Sequence, residues 1–169
     1  QEQVPDFHQM SPFQHVLISL DGSQLAENAL EPGLTLGNSE KGEYSLLRVI
    51  PAMLPTDYIP SDGRIGGIHT VWRQQLLELQ RQQEADAHDY LERLAKPLRE
   101  RSLIVHTHVI RHEQPATAIL DAASRFGANA IALSTRGQGG IKRLLLGSVA
   151  DKVVRGSTVP VLICPPVDK

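Results

Sequence analysis

Three absences narrow the function of this chain before any motif is considered. Only one of its 169 residues, Cys164, is a cysteine, so an internal disulfide framework is excluded. No apolar run approaches the roughly 20 residues of a membrane-spanning helix. The N-terminus also lacks the basic-then-apolar pattern of a secretory signal. We therefore expect a soluble protein of the cytoplasm that has no membrane partner.

The chain also lacks an excess of either charge. Its 17 Lys and Arg against 19 Asp and Glu give a formal net charge of −2, with both signs interspersed. A dedicated nucleic-acid-binding protein usually carries a basic stripe, so we expect no nucleic-acid partner. An apolar fraction of 41% over 169 residues suits one globular domain with a buried core.

Several standard catalytic and metal signatures are missing. The sequence has no G-x-x-x-x-G-K-[ST] phosphate loop and no H-E-x-x-H or paired C-x-x-C zinc motif. A dinucleotide fingerprint fails because Lys142 stands where a glycine is required. Neither H-x-G-H nor S-G-G-x-D-S occurs, which disfavours a nucleotidyl-transfer enzyme. His106, His108 and His112 have no evident carboxylate or cysteine partner, so a solvated strand face explains them better than a metal site.

The sequence does contain a regular alternation of apolar runs and amphipathic stretches. Nearly continuous apolar runs are typical of strands buried on both faces, and i, i+3, i+4 spacing is typical of helices. The predicted strands are 15–21, 44–50, 103–110, 130–134 and 159–164. The predicted helices are 23–37, 68–101, 115–126 and 148–155. This β-α-β-α-β-α-β-α-β order predicts a parallel sheet covered by helices on both faces.

The chain ends and one long loop fall outside this alternation. Residues 1–14 have no hydrophobic period and predict a flexible N-terminal arm, for which either Gln1 or Met10 is the native start. Residues 15–169 are predicted to form a single domain. The segment 51–67 holds three prolines and three glycines and is predicted to be a loop that covers the ligand pocket.

Three loops are predicted to converge on one edge of the sheet. Asp21 follows the first strand, Val49 lies at the end of the second, and a glycine-rich loop follows the fourth. Open α/β sheets bind ligands at the carboxyl ends of their strands, where the strand order reverses. Asp21 equally fits a cap for the next helix, so this pattern predicts a pocket without naming its ligand.

The glycine-rich loop has features that suit phosphate. It reads STRGQGGIKRLLLGS, and its glycines allow backbone amides to approach phosphate oxygens closely. Gly147 and Ser148 open a helix, whose N-terminus favours an anion. Arg136, Lys142 and Arg143 add positive charge. Because these three features coincide, phosphate binding is favoured over an ordinary strand-to-helix connection.

Four segments together resemble the universal stress protein family. They are LISLDGS around Asp21, the spacing Gly137-x9-Gly147-Ser148, the run LLLGSVADKVVR and the closing PVLICPP. The resemblance extends over almost all of residues 15–166. It implies a five-stranded parallel sheet of order 3-2-1-4-5 with helices on both faces, the adenine nucleotide alpha hydrolase-like fold. It also implies a homodimer.

ATP-binding members of that family carry the motif G-x-x-G-x9-G-[ST]. Gly137, Gly147 and Ser148 match its last three positions, whereas Ser134 stands where the motif has its first glycine. A serine side chain at that position either crowds the nucleotide or donates a further hydrogen bond. The departure leaves the fold assignment untouched and makes ATP binding the open question.

The resemblance also implies roles for individual residues. Asp21 matches the acidic residue that contacts the nucleoside, and Val49 matches the residue whose backbone holds the base. Mg²⁺ or Mn²⁺ is expected to bridge the phosphates. The predicted nucleotide-binding residues are Ser19, Leu20, Asp21, Val49, Ser134, Arg136, Gly137, Gly139, Gly140, Gly147, Ser148 and Val149.

Two functions from different classes fit this sequence. One is a regulatory module that binds ATP, or else AMP or ADP, in the stress response. No positioned general base or activated nucleophile is evident, so we expect no catalytic residue and at most slow ATP hydrolysis. The other is a dimeric stress-response adapter that acts through protein contacts without ATP, and Ser134 is its best support.

The last strand predicts how two copies would associate. Proline is tolerated in edge strands, and the resemblance places the strand Val159 to Cys164 at the sheet edge. An exposed apolar edge is an aggregation hazard unless it is covered. Pairing of this strand between two chains across a two-fold axis covers it. We therefore expect a homodimer formed through Val159 to Cys164.

Overall fold

A computed structural model describes residues 13–37, 42–52, 66–135 and 146–165, with the backbone alone for 66–72. The strands are β1 (His15–Ser19), β2 (Glu43–Ile50), β3 (Ile104–Arg111), β4 (Ala130–Ser134) and β5 (Val161–Cys164). The helices are α1 (Leu30–Leu36), α2 (Gly66–Glu100), α3 (Pro115–Phe126) and α4 (Ser148–Gly156), and a 3₁₀ helix (Ala26–Ala29) precedes α1. None of the described helices is long and apolar enough to cross a membrane.

The five strands form one parallel sheet in the order β3-β2-β1-β4-β5, which confirms the predicted fold class. β1 lies at the centre, where Ser19 is aligned with Leu47 of β2 and Leu133 of β4. The chain runs outward from β1 through β2 to β3, and then crosses back to place β4 on the other side of β1. The point at which the strand order reverses therefore lies between β1 and β4. β3 and β5 form the two edges, as predicted for both.

Side chains that alternate along the strands build a core on each face of the sheet. On one face Val16, Ile18 and Leu46 pack with α1 and α2. On the other face Leu17 and Leu47 pack with α3 and α4. All five of these side chains are fully buried, as expected for strands covered on both sides.

Helix boundaries follow local signals in the sequence. Pro115 occupies the first turn of α3, and Gly127 ends the helix with φ 69°, a left-handed conformation that glycine adopts without strain. The predicted helix after Ser23 begins instead as a 3₁₀ turn at Ala26 and becomes α-helical at Leu30. The Ser23 hydroxyl still accepts a hydrogen bond from the amide of Ala26 at 3.1 Å.

A buried polar row lies at the amino end of the sheet, on the α3 side. His15 is 8% exposed, and its Nε2 lies 2.9 Å from Ser45 Oγ. The same hydroxyl lies 3.4 Å from His108 Nε2, and the His108 ring stacks on Phe126 with centroids 4.0 Å apart. The predicted solvated histidine face is therefore wrong for His108, because α3 covers this part of the strand.

His106, which lies next to this row on β3, is solvated as predicted. His106 is exposed, and its Nε2 lies 3.0 Å from the carboxylate of Glu43. Among the described residues no group of three or more His, Cys, Asp or Glu side chains is placed to hold a metal ion.

We expect the folded protein to lose stability in mild acid because of this row. Burial lowers the pKa of His15 and of His108, although the charge of Glu43 offsets part of the effect at His15. The charges of His106 and Arg125 lower the pKa of His108 further. The unfolded chain therefore binds protons at these two sites below about pH 6.5, where the folded chain still resists them. The free energy of unfolding is expected to be level between about pH 7 and 8 and to fall between pH 6.5 and 5.

Urea unfolding at a series of pH values measures this dependence. A His15→Gln variant removes one buried imidazole and is expected to flatten the profile. The matched variant His88→Gln, at an exposed position on α2, is expected to keep the parent's profile. A parent profile that stays level from pH 7 to 5 contradicts the prediction.

Candidate functional site

The carboxyl ends of β1 and β4 lie side by side in the centre of the sheet. Ser19 and Leu133 are aligned at these ends, and the connections from the two strands leave toward opposite faces. α1 follows β1 on one face, and α4 follows β4 on the other. This is the geometry at which open parallel sheets form a ligand crevice.

The chain leaves β1 through a turn that fixes an exposed carboxylate. Leu20 is buried and donates its amide to the carbonyl of Leu47 at 2.8 Å. Asp21 is exposed, and its Oδ1 accepts hydrogen bonds from the Ser23 amide at 2.9 Å and from the Ser23 hydroxyl at 2.5 Å. Ser23, rather than Asp21, caps the following turn. Asp21 thus remains a candidate ligand group, oriented by its neighbour.

Val49 lies at the same edge, one residue before the end of β2. Extending the alignment of Ser19 with Leu47 by two residues places Val49 level with Asp21. Its side chain is half-buried and packs toward the α3 and α4 core. The carbonyl of Ile50 accepts the amide of His112 at 3.0 Å, which fixes the end of the strand.

The other side of the crevice begins with Ser134, the last residue of β4. Ser134 is half-buried and aligned with Cys164, and the amide of Thr135 donates to the Cys164 carbonyl at 3.0 Å. The chain therefore leaves β4 with its backbone still held by β5. The predicted residues Arg136, Gly137, Gly139 and Gly140 lie outside the described residues, so their roles remain predictions.

The start of α4 supplies backbone donors. Gly147 is the N-cap, and its carbonyl accepts the first bond of the helix from the amide of Asp151 at 2.9 Å. Because β5 runs parallel to β4, α4 has to begin near the carboxyl edge of the sheet. The amides of Ser148 and Val149 lie in the first turn and have no acceptor within the helix. Exposed Ser148 and half-buried Val149 thus present N–H groups that suit an anion.

Two residues beside the crevice were missed by sequence reasoning. Arg48 of β2 places its guanidinium against the turn at Gly22, and it also lies 5.1 Å from the ring centroid of Tyr90 in α2. Tyr90 is the second of these residues, and it belongs to a different element from Arg48. The available signal was Arg48 itself, the single charged residue in the strand YSLLRVI.

A surface depression also lies away from the crevice, on the outer face of α2. Its volume is about 630 Å³, and it is open to solvent. Arg99 binds Glu92 with an N–O distance of 2.6 Å. Hydrogen bonds from Arg99 and Thr107 lower the pKa of Glu92 to about 2. Because its acids and bases neutralise one another, this solvated helix face is a weaker ligand site than the crevice. The lining residues are Asp89, Glu92, Arg93, Lys96, Arg99 and Glu100.

Comparison with known sequences identifies the family of this chain. The model of the universal stress protein family matches residues 12–165. Universal stress protein YxiE of Bacillus subtilis is 28% identical over 151 residues, which cover 89% of this chain and 98% of that protein. Universal stress protein MJ0531 of Methanocaldococcus jannaschii is 26% identical over 151 residues, covering 89% of this chain and 81% of that protein.

Solved structures share the fold. The hypothetical protein MJ0577 matches with a TM-score of 0.71 and 24% identity, covering 92% of this chain and 98% of that chain. Universal stress protein UspA from Lactobacillus plantarum matches with a TM-score of 0.64 and 18% identity, covering 89% and 97%. A universal stress protein in complex with cAMP matches with a TM-score of 0.58 and 18% identity, covering 92% and 98%.

Proposed function

This chain belongs to the universal stress protein family, and we propose that it is a regulatory module that binds an adenine nucleotide, ATP above all, at the carboxyl edge of its sheet. The observation that carries the proposal is the position of Asp21 and Ser134. The first follows β1 and the second ends β4, so they stand on the two sides of the strand-order reversal. A related protein of the same fold forms a complex with cAMP, which supports adenine nucleotides as the ligand class.

The nucleotide would extend across this edge from β2 to α4. The base would lie near the backbone of Val49, and a ribose hydroxyl would donate to the carboxylate of Asp21. The phosphate oxygens would accept hydrogen bonds from the first amides of α4, next to Gly147 and Ser148. The glycines at 137, 139 and 140 would complete this cradle. Each part of the ligand thereby meets a group of suitable chemistry, and negative charge meets a helix N-terminus.

A divalent cation, Mg²⁺ or Mn²⁺, would accompany the phosphates. Such ions keep several water ligands and bind largely through phosphate oxygens, so they require few protein ligands. The exposed hydroxyl of Ser148 at the start of α4 is a side-chain oxygen that fits this role. The cation would neutralise phosphate charge. We assign no catalytic residue to the site and expect hydrolysis to be slow at most.

One observation favours a second candidate, a dimeric adapter that holds no ATP. Ser134 stands where the ATP-binding motif has a glycine, and its half-buried side chain occupies the edge that the phosphates would approach. Edge strand β5 supports dimer formation under either function. Its residues Val161–Ile163 are only half-buried in one chain, and β5 pairs with β4 alone among the described strands. We propose that two copies pair along it.

Calorimetric titration of nucleotide-stripped protein with Mg²⁺ and ATP tests the proposal. Saturable binding is expected for the parent, and Ser134→Gly is expected to bind at least as tightly because it restores the motif. Binding by Ser134→Gly alone would identify the serine as the block and favour the adapter. No binding by either folded protein at millimolar ATP rejects the nucleotide module. Size-exclusion chromatography of the same samples tests the dimer.

A further inference from the structure

A short turn places the carboxylate of Asp21 at the crevice. Both hydrogen bonds from Ser23, through its amide and its hydroxyl, reach the same oxygen of Asp21. The orientation of the carboxylate therefore depends on the conformation of the turn. Gly22, between these residues, has φ 88°, which side chains other than glycine's rarely adopt without strain.

The turn rests against a guanidinium group. A Cβ atom placed on Gly22 would lie 2.7 Å from Arg48 Cζ and Nη2 and 3.1 Å from Nε. The guanidinium group of Arg48 thus occupies the space in which a side chain at position 22 would lie. Glycine at this position permits the contact as well as the backbone conformation. The contact limits how far the turn can move toward Arg48.

Arg48 is itself held in place by an aromatic ring. Its guanidinium carbon lies 5.1 Å from the centroid of the Tyr90 ring, within the range of a cation–π interaction. Arg93 lies 5.4 Å from the same centroid, and its Nη2 lies 3.5 Å from the carboxylate of Glu27. Burial raises the pKa of Tyr90, and the carboxylates of Glu27 and Asp21 raise it further, so the ring stays a neutral phenol. This arrangement, Arg48 between Gly22 and Tyr90, is hereafter the arginine clamp.

We propose that Arg48 is a positioning residue that sets the Asp21 carboxylate for a ribose hydroxyl, so that the arginine clamp gives the site its preference for ribonucleotides. The inference rests on the proposed nucleotide site. Asp21 makes the contact, and Arg48 acts through the turn. A planar guanidinium over an aromatic ring holds its geometry better than a flexible ammonium group would. Loosening the clamp lets the carboxylate turn away, so the hydroxyl loses its acceptor while the base and phosphates keep theirs.

Separate titrations with ATP and with its deoxy analogues measure this preference. Dissociation constants are determined by calorimetry for ATP, 2′-deoxy-ATP and 3′-deoxy-ATP with Mg²⁺. The parent is expected to bind at least one analogue about tenfold more weakly than ATP, as for a lost hydrogen bond to a charged group. Arg48→Gln and Tyr90→Leu are expected to bring the two dissociation constants to within about threefold of each other, mainly by weakening the binding of ATP. Asp21→Asn provides the reference for a lost carboxylate.

Two further variants separate positioning from general stability. Tyr90→Phe keeps the aromatic ring next to Arg48 and is expected to keep the parent's ratio of dissociation constants for the analogue and ATP. Arg81→Gln, the same substitution at an exposed position on α2, is expected to leave all three constants unchanged. Melting temperatures of every variant identify loss of folding. A clamp variant that melts earlier but keeps the parent's ratio overturns the proposal.

The outcomes distinguish the inference from the proposed function. One outcome is that the parent binds ATP more tightly than a deoxy analogue while Arg48→Gln and Tyr90→Leu keep the same ratio of dissociation constants. In that case the clamp has no positioning role, and the proposed nucleotide site is unaffected. If the parent binds ATP and both analogues equally, the ribose contact is absent and the inference fails. If the parent binds none of the three at millimolar concentration, the proposed function itself fails.

Discussion

Replacing Gly147 with valine is expected to abolish nucleotide binding and to leave the fold intact. Gly147 has φ −61° and ψ 157°, an extended conformation that valine adopts readily. The backbone therefore imposes no need for glycine at this N-cap. The need would come from the ligand, because a branched side chain beside the first amides of α4 blocks the approach of a phosphate. We expect at least a hundredfold loss of affinity, or about 2.7 kcal/mol.

The measurement is a titration of parent and Gly147→Val with ATP and Mg²⁺, beside thermal unfolding of both proteins. Leu146→Val is the matched control, since it creates the same residue at the preceding exposed position. It is expected to bind ATP as the parent does. If Gly147→Val kept the parent's affinity for ATP, the phosphates would not bind at the start of α4. A large fall in melting temperature would assign the loss of binding to folding instead.

Leu91→Ala is expected to produce the largest loss of stability among the substitutions considered. Leu91 lies in α2 and is fully buried in the core shared with Val16, Ile18 and Leu46. Its truncation removes favourable transfer of apolar surface and leaves a cavity between the helix and the sheet. The expected loss is about 2–5 kcal/mol in the free energy of unfolding, as seen for buried leucines. Urea denaturation measures it, with a falling midpoint and an unchanged slope.

A second leucine of the same helix provides the control. Leu77 is 44% exposed, so Leu77→Ala is expected to change stability by less than about 0.5 kcal/mol. Both substitutions make the same change in intrinsic helix propensity, and the difference between them isolates burial. If Leu91→Ala cost less than about 1 kcal/mol, this turn of α2 would not be docked on the sheet.

Local sequence signals predicted the individual elements well where their boundaries have a chemical cause. The bounds of β4 agree residue for residue, and Pro115 and Gly127 delimit α3 as expected. The last strand begins at Val161, two residues later than predicted, and Pro160 immediately before it has no amide to donate. The 3₁₀ start after Ser23 was missed because side-chain capping does not distinguish the two kinds of helix.

Strand order and the clamp depend on contacts between distant parts of the chain. Alternation of strands and helices predicted a parallel sheet, but the order 3-2-1-4-5 came from the family resemblance. The same limit applied to the site. Asp21 and Val49 are predicted from the sequence because they lie near strand ends, whereas the contact of Arg48 with Tyr90 joins a strand and a helix that are far apart in sequence. His108 was misjudged for this reason as well, since Phe126 covers it from another element.

The central position of β1 has a consequence for the chain as it leaves the ribosome. The amide of His15 donates to the side chain of Asn129, 114 residues later, and Ser19 finds its partner Leu133 only when β4 has been made. Until then the first strand has β2 as its sole neighbour, and one wall of the crevice does not exist. A ligand of this crevice thus meets only chains in which β4 has already been made and paired with β1. Occupancy of the site would then report that these two strands, far apart in sequence, have come together.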